Sequence, residues 1–120
     1  MISAVAIVSV PVSDPDRSRA FYVDTLGVEI ARDDDSVPGL SWLEVRPPGS
    51  ATSLTLVTWF ESMPAGSLRG LVLTCDDLRA EYDRLVAAGV AFEGPPTPQP
   101  WALEAVMRDP DRHAIVLQER

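Results

Sequence analysis

The side chains able to do chemistry in this chain are few: one histidine (His113), one cysteine (Cys75), two glutamates in strand-like stretches (Glu44, Glu104) and three tryptophans (Trp42, Trp59, Trp101). A lone imidazole makes no metal site without partners, and no Ser-His-Asp arrangement on a helix-turn nucleophile is present. His113 follows the turn Asp109-Pro110-Asp111 and reads as a surface turn residue. Cys75 precedes Asp76-Asp77, whose carboxylates oppose thiolate formation, and its alternation with Leu71 and Leu73 reads as a buried core thiol. Glu44 and Glu104 read either as an exposed strand face or, in an apolar cup, as a base or a cation acceptor. The tryptophans suit clasping a flat or aromatic ligand, and equally suit a core or a dimer contact.

Composition excludes several classes. At 120 residues and 46% hydrophobic, the chain has enough apolar material for one globular domain. A net charge of −8 argues against nucleic acid and anionic membrane, whose phosphates demand a basic face. There is no run of 18 apolar residues, no P-loop and no Gly-x-Gly-x-x-Gly. The start, Met1-Ile2-Ser3-Ala4, lacks the charged region of a secretory signal, and one cysteine makes no internal disulfide, so a cytoplasmic location is expected. Asp33-Asp34-Asp35 reads as a solvated loop.

The elements that position these residues repeat. Asp14-Pro15-Asp16 starts a helix with a capping carboxylate and proline in the first turn, and Ser18, Phe21, Tyr22, Thr25 and Leu26 share one face before Gly27 stops it. Cys75-Asp76-Asp77 starts another, with Leu78, Tyr82 and Leu85 on one face, that stops at Gly89. The stopping glycines are 62 apart (89 − 27), as are the turn prolines Pro48 and Pro110 (110 − 48). The pattern predicts helices near 14–26 and 77–88 and strands near 28–33, 40–46, 52–60, 90–93, 102–108 and 113–118, after first strands around Val8-Val10-Val12 and Leu71-Leu73-Cys75. Gly94-Pro95-Pro96-Thr97-Pro98-Gln99-Pro100 reads as an extended loop outside any ladder. Each half is thus β-α-β-β-β.

Val12-Ser13-Asp14 with Ala20-Phe21-Tyr22 and Leu26-Gly27-Val28, Pro47-Pro48-Gly49, Asp76-Asp77-Leu78 with Ala88-Gly89-Val90, and Asp109-Pro110-Asp111 together resemble the vicinal oxygen chelate superfamily. That superfamily holds glyoxalase I, bleomycin-resistance proteins and extradiol dioxygenases, and the resemblance spans essentially the whole chain. It implies an α+β fold of two tandem β-α-β-β-β modules, at 1–60 and 69–120 with a link at 61–68, forming a curled, cup-like mixed sheet. It also implies pairing as a homodimer. The superfamily's enzymes hold a divalent metal through His, Glu or Gln at four strand positions. Here those positions fall on Ile7, Gly70 (Arg69 if the register shifts by one), Thr55 and Val116, which offer no imidazole or carboxylate. No metal or other cofactor is expected. His113 stands at the asparagine of the family's Asp-Pro-Asp-Gly-Asn pattern and Arg112 at its glycine, so that turn either changes shape or tolerates strain.

Two function classes follow. In the first, a homodimer of the glyoxalase and bleomycin-resistance type binds a small aromatic or cationic molecule in a metal-free cup between the halves, without catalysis. Its ligand-binding residues are Ile7, Ser9, Trp42, Glu44, Thr55, Thr74, Trp101 and Val116, with Val72 adding to an apolar lining. In the second, a metal-dependent lyase, isomerase or dioxygenase uses atypical ligands such as Glu44, Glu104 and His113. A third reading is an accessory subunit whose cup is filled by its own side chains.

Overall fold

The computed structural model describes residues 1–120, Leu40 by its backbone alone. The chain forms two compact units, Met1–Ala65 and Gly66–Arg120, each α+β.

The first unit runs β1 (Ile7–Pro11), α1 (Pro15–Arg19), a π-helical turn (Ala20–Thr25), β2 (Glu29–Val37), β3 (Leu40–Arg46) and β4 (Ser53–Val57). Its sheet has the order β1-β4-β3-β2, with β1 parallel to β4 and the other pairs antiparallel. Asp14 caps α1 by accepting a hydrogen bond from the Arg17 amide at 3.2 Å, with Pro15 in the first turn, where its missing N–H costs nothing. The expected α-helix over 14–26 is not continuous. Beyond Arg19 the chain widens into a π turn in which Leu26 N donates to Phe21 O, five residues back, at 2.9 Å. The wider winding accommodates Phe21 against Tyr22 edge to face at 5.1 Å, while Ser18 and Tyr22 both remain fully buried. Gly27, at φ +82°, then turns the chain toward β2. Leu43, Val45, Leu54, Leu56 and Val10 supply the sheet's share of the buried core, each worth about 1.5–3 kcal/mol against solvent exposure.

The aspartate run is not a loop. Asp33 and Asp34 lie inside β2, opposite Leu43 and Trp42, because the β2–β3 hairpin extends to a tight turn at Pro38-Gly39. Cations spaced along the sequence offset the repulsion, with Arg19 on Asp33 at 2.5 Å and Arg32 on Asp34 at 3.1 Å.

The second unit runs β5 (Leu71–Cys75), α2 (Leu78–Ala87), β6 (Ala91–Phe92), β7 (Thr97–Pro98), β8 (Leu103–Arg108) and β9 (Ala114–Glu119). The sheet order is β5-β9-β8-β6, and β7 also pairs with β8. Asp77 caps α2 through the Ala80 amide at 3.1 Å, Leu78 and Leu85 are buried, and Tyr82 meets Phe92 edge-on at 4.8 Å. β7 corrects the expectation for the proline segment: Thr97 pairs with Glu104 and Pro98 with Leu103. A proline lacks a donor but still accepts, so it is tolerated in a short edge strand. Cys75 is half-buried at the end of β5 rather than a sealed core thiol. Its pKa is raised, first by partial burial and then by Glu81, Glu119, Asp76 and Asp77, so it is a poor nucleophile.

His113 departs most from expectation, because it is fully buried. Leu68 N donates to its Nδ1 at 2.9 Å, and the Gly66 amide lies 3.2 Å from Nε2; since an imidazole accepts at one nitrogen only, the shorter contact is the hydrogen bond, and it ties the start of the second unit to the β8–β9 turn. Below it, the Asp109 carboxylate accepts from the amides of Asp111 at 3.0 Å and His113 at 2.9 Å. Arg112 takes the left-handed conformation at φ +71°, so the turn keeps a glycine-like shape with some strain. Gly66, at φ +87°, approaches so closely that a Cβ there would lie 2.5 Å from Asp111 O.

Candidate ligand-binding site

The pleat and register of the first sheet set a polar row on the face opposite Leu43 and Val45. Ser9 pairs with Thr55, Thr55 with Glu44, and Glu44 with Arg32. Ser9 Oγ and Thr55 Oγ1 are hydrogen-bonded at 3.2 Å, and Thr55 is 1% exposed. Two residues before Glu44 on the same face, Trp42 donates its indole N–H to Glu44 Oε1 at 3.2 Å. Trp42 stacks on Trp59 with ring centroids 6.2 Å apart and planes 22° from parallel, and Phe60 continues the cluster at 6.0 Å from Trp59. An open cavity of about 170 Å³ lies beside Trp42, bounded also by Arg32, Asp34 and Val37. Pockets that enclose a drug-sized molecule are about 300–1,000 Å³, so this one takes a ring or side group of a larger guest.

At its edge Asp34 is held ionised. Its carboxylate accepts from Ser36 Oγ at 2.6 Å, the Ser36 amide at 2.9 Å and Arg32 at 3.1 Å, and its pKa falls to about 2 from 3.8, with the Ser36 hydroxyl the largest cause. A depressed carboxylate pKa contributes stability that is present above the unfolded value and is lost as pH falls through the folded one. The window here is pH 4 down to about 2. We expect the Asp34 carboxyl resonance to titrate near 2 by NMR, and Ser36→Ala to raise that midpoint toward 3.8. An unchanged midpoint in Ser36→Ala would refute the hydroxyl's leading role.

The second sheet repeats the layout with different chemistry. Val72 pairs with Val116 and Val116 with Val106, an apolar row where the first unit has Ser9, Thr55 and Glu44. The register therefore makes Val106 the counterpart of Glu44, while Glu104 stands where the first unit has Trp42 and faces Gln118. Of the residues singled out in the sequence, Ser9, Trp42, Glu44 and Thr55 come together, and Ile7 at 40% exposure ends the same face. Val116 is half-buried, Thr74 exposed and Trp101 69% exposed, all in the second unit. Sequence reasoning missed Arg32, Asp34 and Val37 as cavity walls, and the pairing of Trp42 with Trp59. The available signal was the period of two in Arg32-Asp33-Asp34, which places 32 and 34 on one face once that run is taken as strand.

The donor set does not fit the superfamily's metal. Among the described residues no three His, Cys, Asp or Glu side chains gather to hold an ion. The His113 ring accepts from the Leu68 amide at 2.9 Å, with the Gly66 amide 3.2 Å from its other nitrogen, Glu44 takes the Trp42 indole and Glu104 takes the Gln118 amide at 2.8 Å.

A model of the Glyoxalase/Bleomycin resistance protein/Dioxygenase superfamily matches residues 4–117. The YetH protein of Bacillus subtilis (strain 168) is 32% identical over 122 residues, covering 99% of this chain and 100% of its own. TnmS3, an antibiotic binding protein from Streptomyces sp. CB03234, is 47% identical with a TM-score of 0.92, covering 98% of this chain and 96% of its own. A superfamily member from Sphaerobacter thermophilus DSM 20745 is 32% identical with a TM-score of 0.92, covering 99% of this chain and 98% of its own.

Proposed function

We propose that this chain, which belongs to the Glyoxalase/Bleomycin resistance protein/Dioxygenase superfamily, binds a planar aromatic small molecule on the Trp42 face without transforming it. The observation that carries this reading is the Trp42–Trp59 stack, pinned by Glu44 beside an open cavity, in a chain whose four family metal-ligand positions, Ile7, Gly70, Thr55 and Val116, carry no imidazole or carboxylate. A rigid indole offers large contact area at little conformational cost, which favours flat guests. Resemblance to an antibiotic binding protein at 47% identity supports an antibiotic-like guest. In this reading Ile7, Ser9 and Thr55 complete the lining of a metal-free face in the first unit, and the protein works as a cytoplasmic homodimer. Exposed Val37, Phe60, Val72 and Val86 are apolar surface that a second copy would cover.

The test is a tryptophan-fluorescence titration with fused-ring compounds, cationic proflavine and anionic naphthalene sulfonate, alongside light scattering and metal analysis. Saturable quenching by a dimer that carries no stoichiometric metal and leaves the guest unchanged is expected. Absence of saturable quenching by either compound, or turnover of the guest, would sink the reading.

A further inference from the structure

The second unit holds a cavity that the Trp42 face does not explain. It is about 210 Å³ and is walled by Glu93, Pro95, Thr97, Gln99, Glu104 and Val106 among others. The short β7 pairing holds Thr97 and Pro98 alongside β8, and Pro95, Thr97 and Gln99 of the proline segment form one wall of it. Thr97 Oγ1 donates to Pro95 O at 3.0 Å and Gln99 N donates to Ala102 O at 2.8 Å, which fixes that wall at both ends.

The two carboxylates in this cavity differ. Glu93 is paired with the Arg108 guanidinium, so its charge is already offset. Glu104 is held by a neutral group: Gln118 Nε2 donates to Glu104 Oε2 at 2.8 Å. Gln118 is only 6% exposed, and Arg120 Nε donates to its Oε1 at 2.7 Å, which dictates that its NH₂ end faces Glu104. Arg120 is in turn anchored through its amide to Cys75 O at 2.9 Å. The result is a carboxylate fixed in direction, with no cation of its own, at the wall of a preformed cavity. A neutral guest entering there would strip water from Glu104 and return at most a neutral hydrogen bond, whereas a cation would also offset the charge. A divalent metal lacks a third ligand among the described residues. An organic ammonium, with three donors for carboxylate and carboxamide oxygens, fits.

We propose that the β7–β8 cavity of the second unit is a binding site for a small organic ammonium ion, with Glu104 as the charge partner and Gln118 as its positioning residue. Below the size of drug-enclosing pockets, the cavity takes a small amine or the amine end of a longer molecule.

The experiment is a ¹H–¹⁵N NMR titration of the full chain at pH 7 with benzylammonium chloride, with benzyl alcohol as neutral control and magnesium chloride as a metal arm. Benzylammonium is expected to give saturable shifts at the amides of Thr97, Gln99, Glu104 and Gln118, and the alcohol none there. Glu104→Gln should weaken binding at least tenfold with the rest of the spectrum unchanged, and Gln118→Ala should weaken it several-fold. Should Glu104→Gln fail to fold, Glu104→Asp keeps the charge and moves it, and should still lose most of the affinity. Equal shifts with the alcohol, saturation by magnesium in place of the amine, or wild-type affinity in the folded Glu104 variant would overturn the proposal.

Discussion

His113→Ala is expected to lower the unfolding free energy by about 3–5 kcal/mol and the melting temperature by roughly 10–20 °C. The ring is fully buried and accepts from the Leu68 amide at 2.9 Å, with the Gly66 amide 3.2 Å from its other nitrogen. Removing it strands the Leu68 donor and leaves a void, whereas a surface turn residue would change stability by only about 0.5 kcal/mol either way. His113→Asn should retain part of the loss, since one carboxamide oxygen replaces one acceptor. The midpoint of urea unfolding is the measurement, and a shift in His113→Ala equivalent to less than about 1 kcal/mol would remove the histidine from the architecture.

Trp42→Ala is expected to weaken binding of the planar guest by roughly 10–100-fold, or about 1.4–2.8 kcal/mol, with little change in fold. The mutation removes the ring bounding the cavity and the partner against which Trp59 is stacked. Trp42→Phe keeps an aromatic face and should lose only a few-fold, through release of the Glu44 hydrogen bond. Comparing the two variants by titration separates ring area from ring anchoring. Equal affinity of wild type and Trp42→Ala would move the guest elsewhere.

Local signals were legible in the sequence. The caps Asp14 and Asp77, the stopping glycines Gly27 and Gly89 and the strand Leu40–Arg46 all follow from residues within a few positions of one another. What the sequence concealed depends on partners far along the chain. His113 is buried because amides 45 and 47 residues away come to its ring, and no neighbour of His113 announces that. Asp33-Asp34 reads as loop until Arg19 and the facing β3 strand are in place. Thr97-Pro98 pairs only because β8 offers an edge. The polar row Ser9-Thr55-Glu44 follows from a period of two, but the contact of Trp42 with Trp59 required the register of two strands and the direction of the chain beyond Val57.

Because Glu44 already takes the Trp42 N–H, the indole confronts a visitor as a bare slab with no directional demand. Recognition by such a surface is strict about flatness and lenient about decoration, since substituents on the guest neither satisfy nor offend a donor there. One copy of the protein would then answer to a congeneric series rather than a single compound, and modifying a peripheral group of the guest would be a poor means of escaping it.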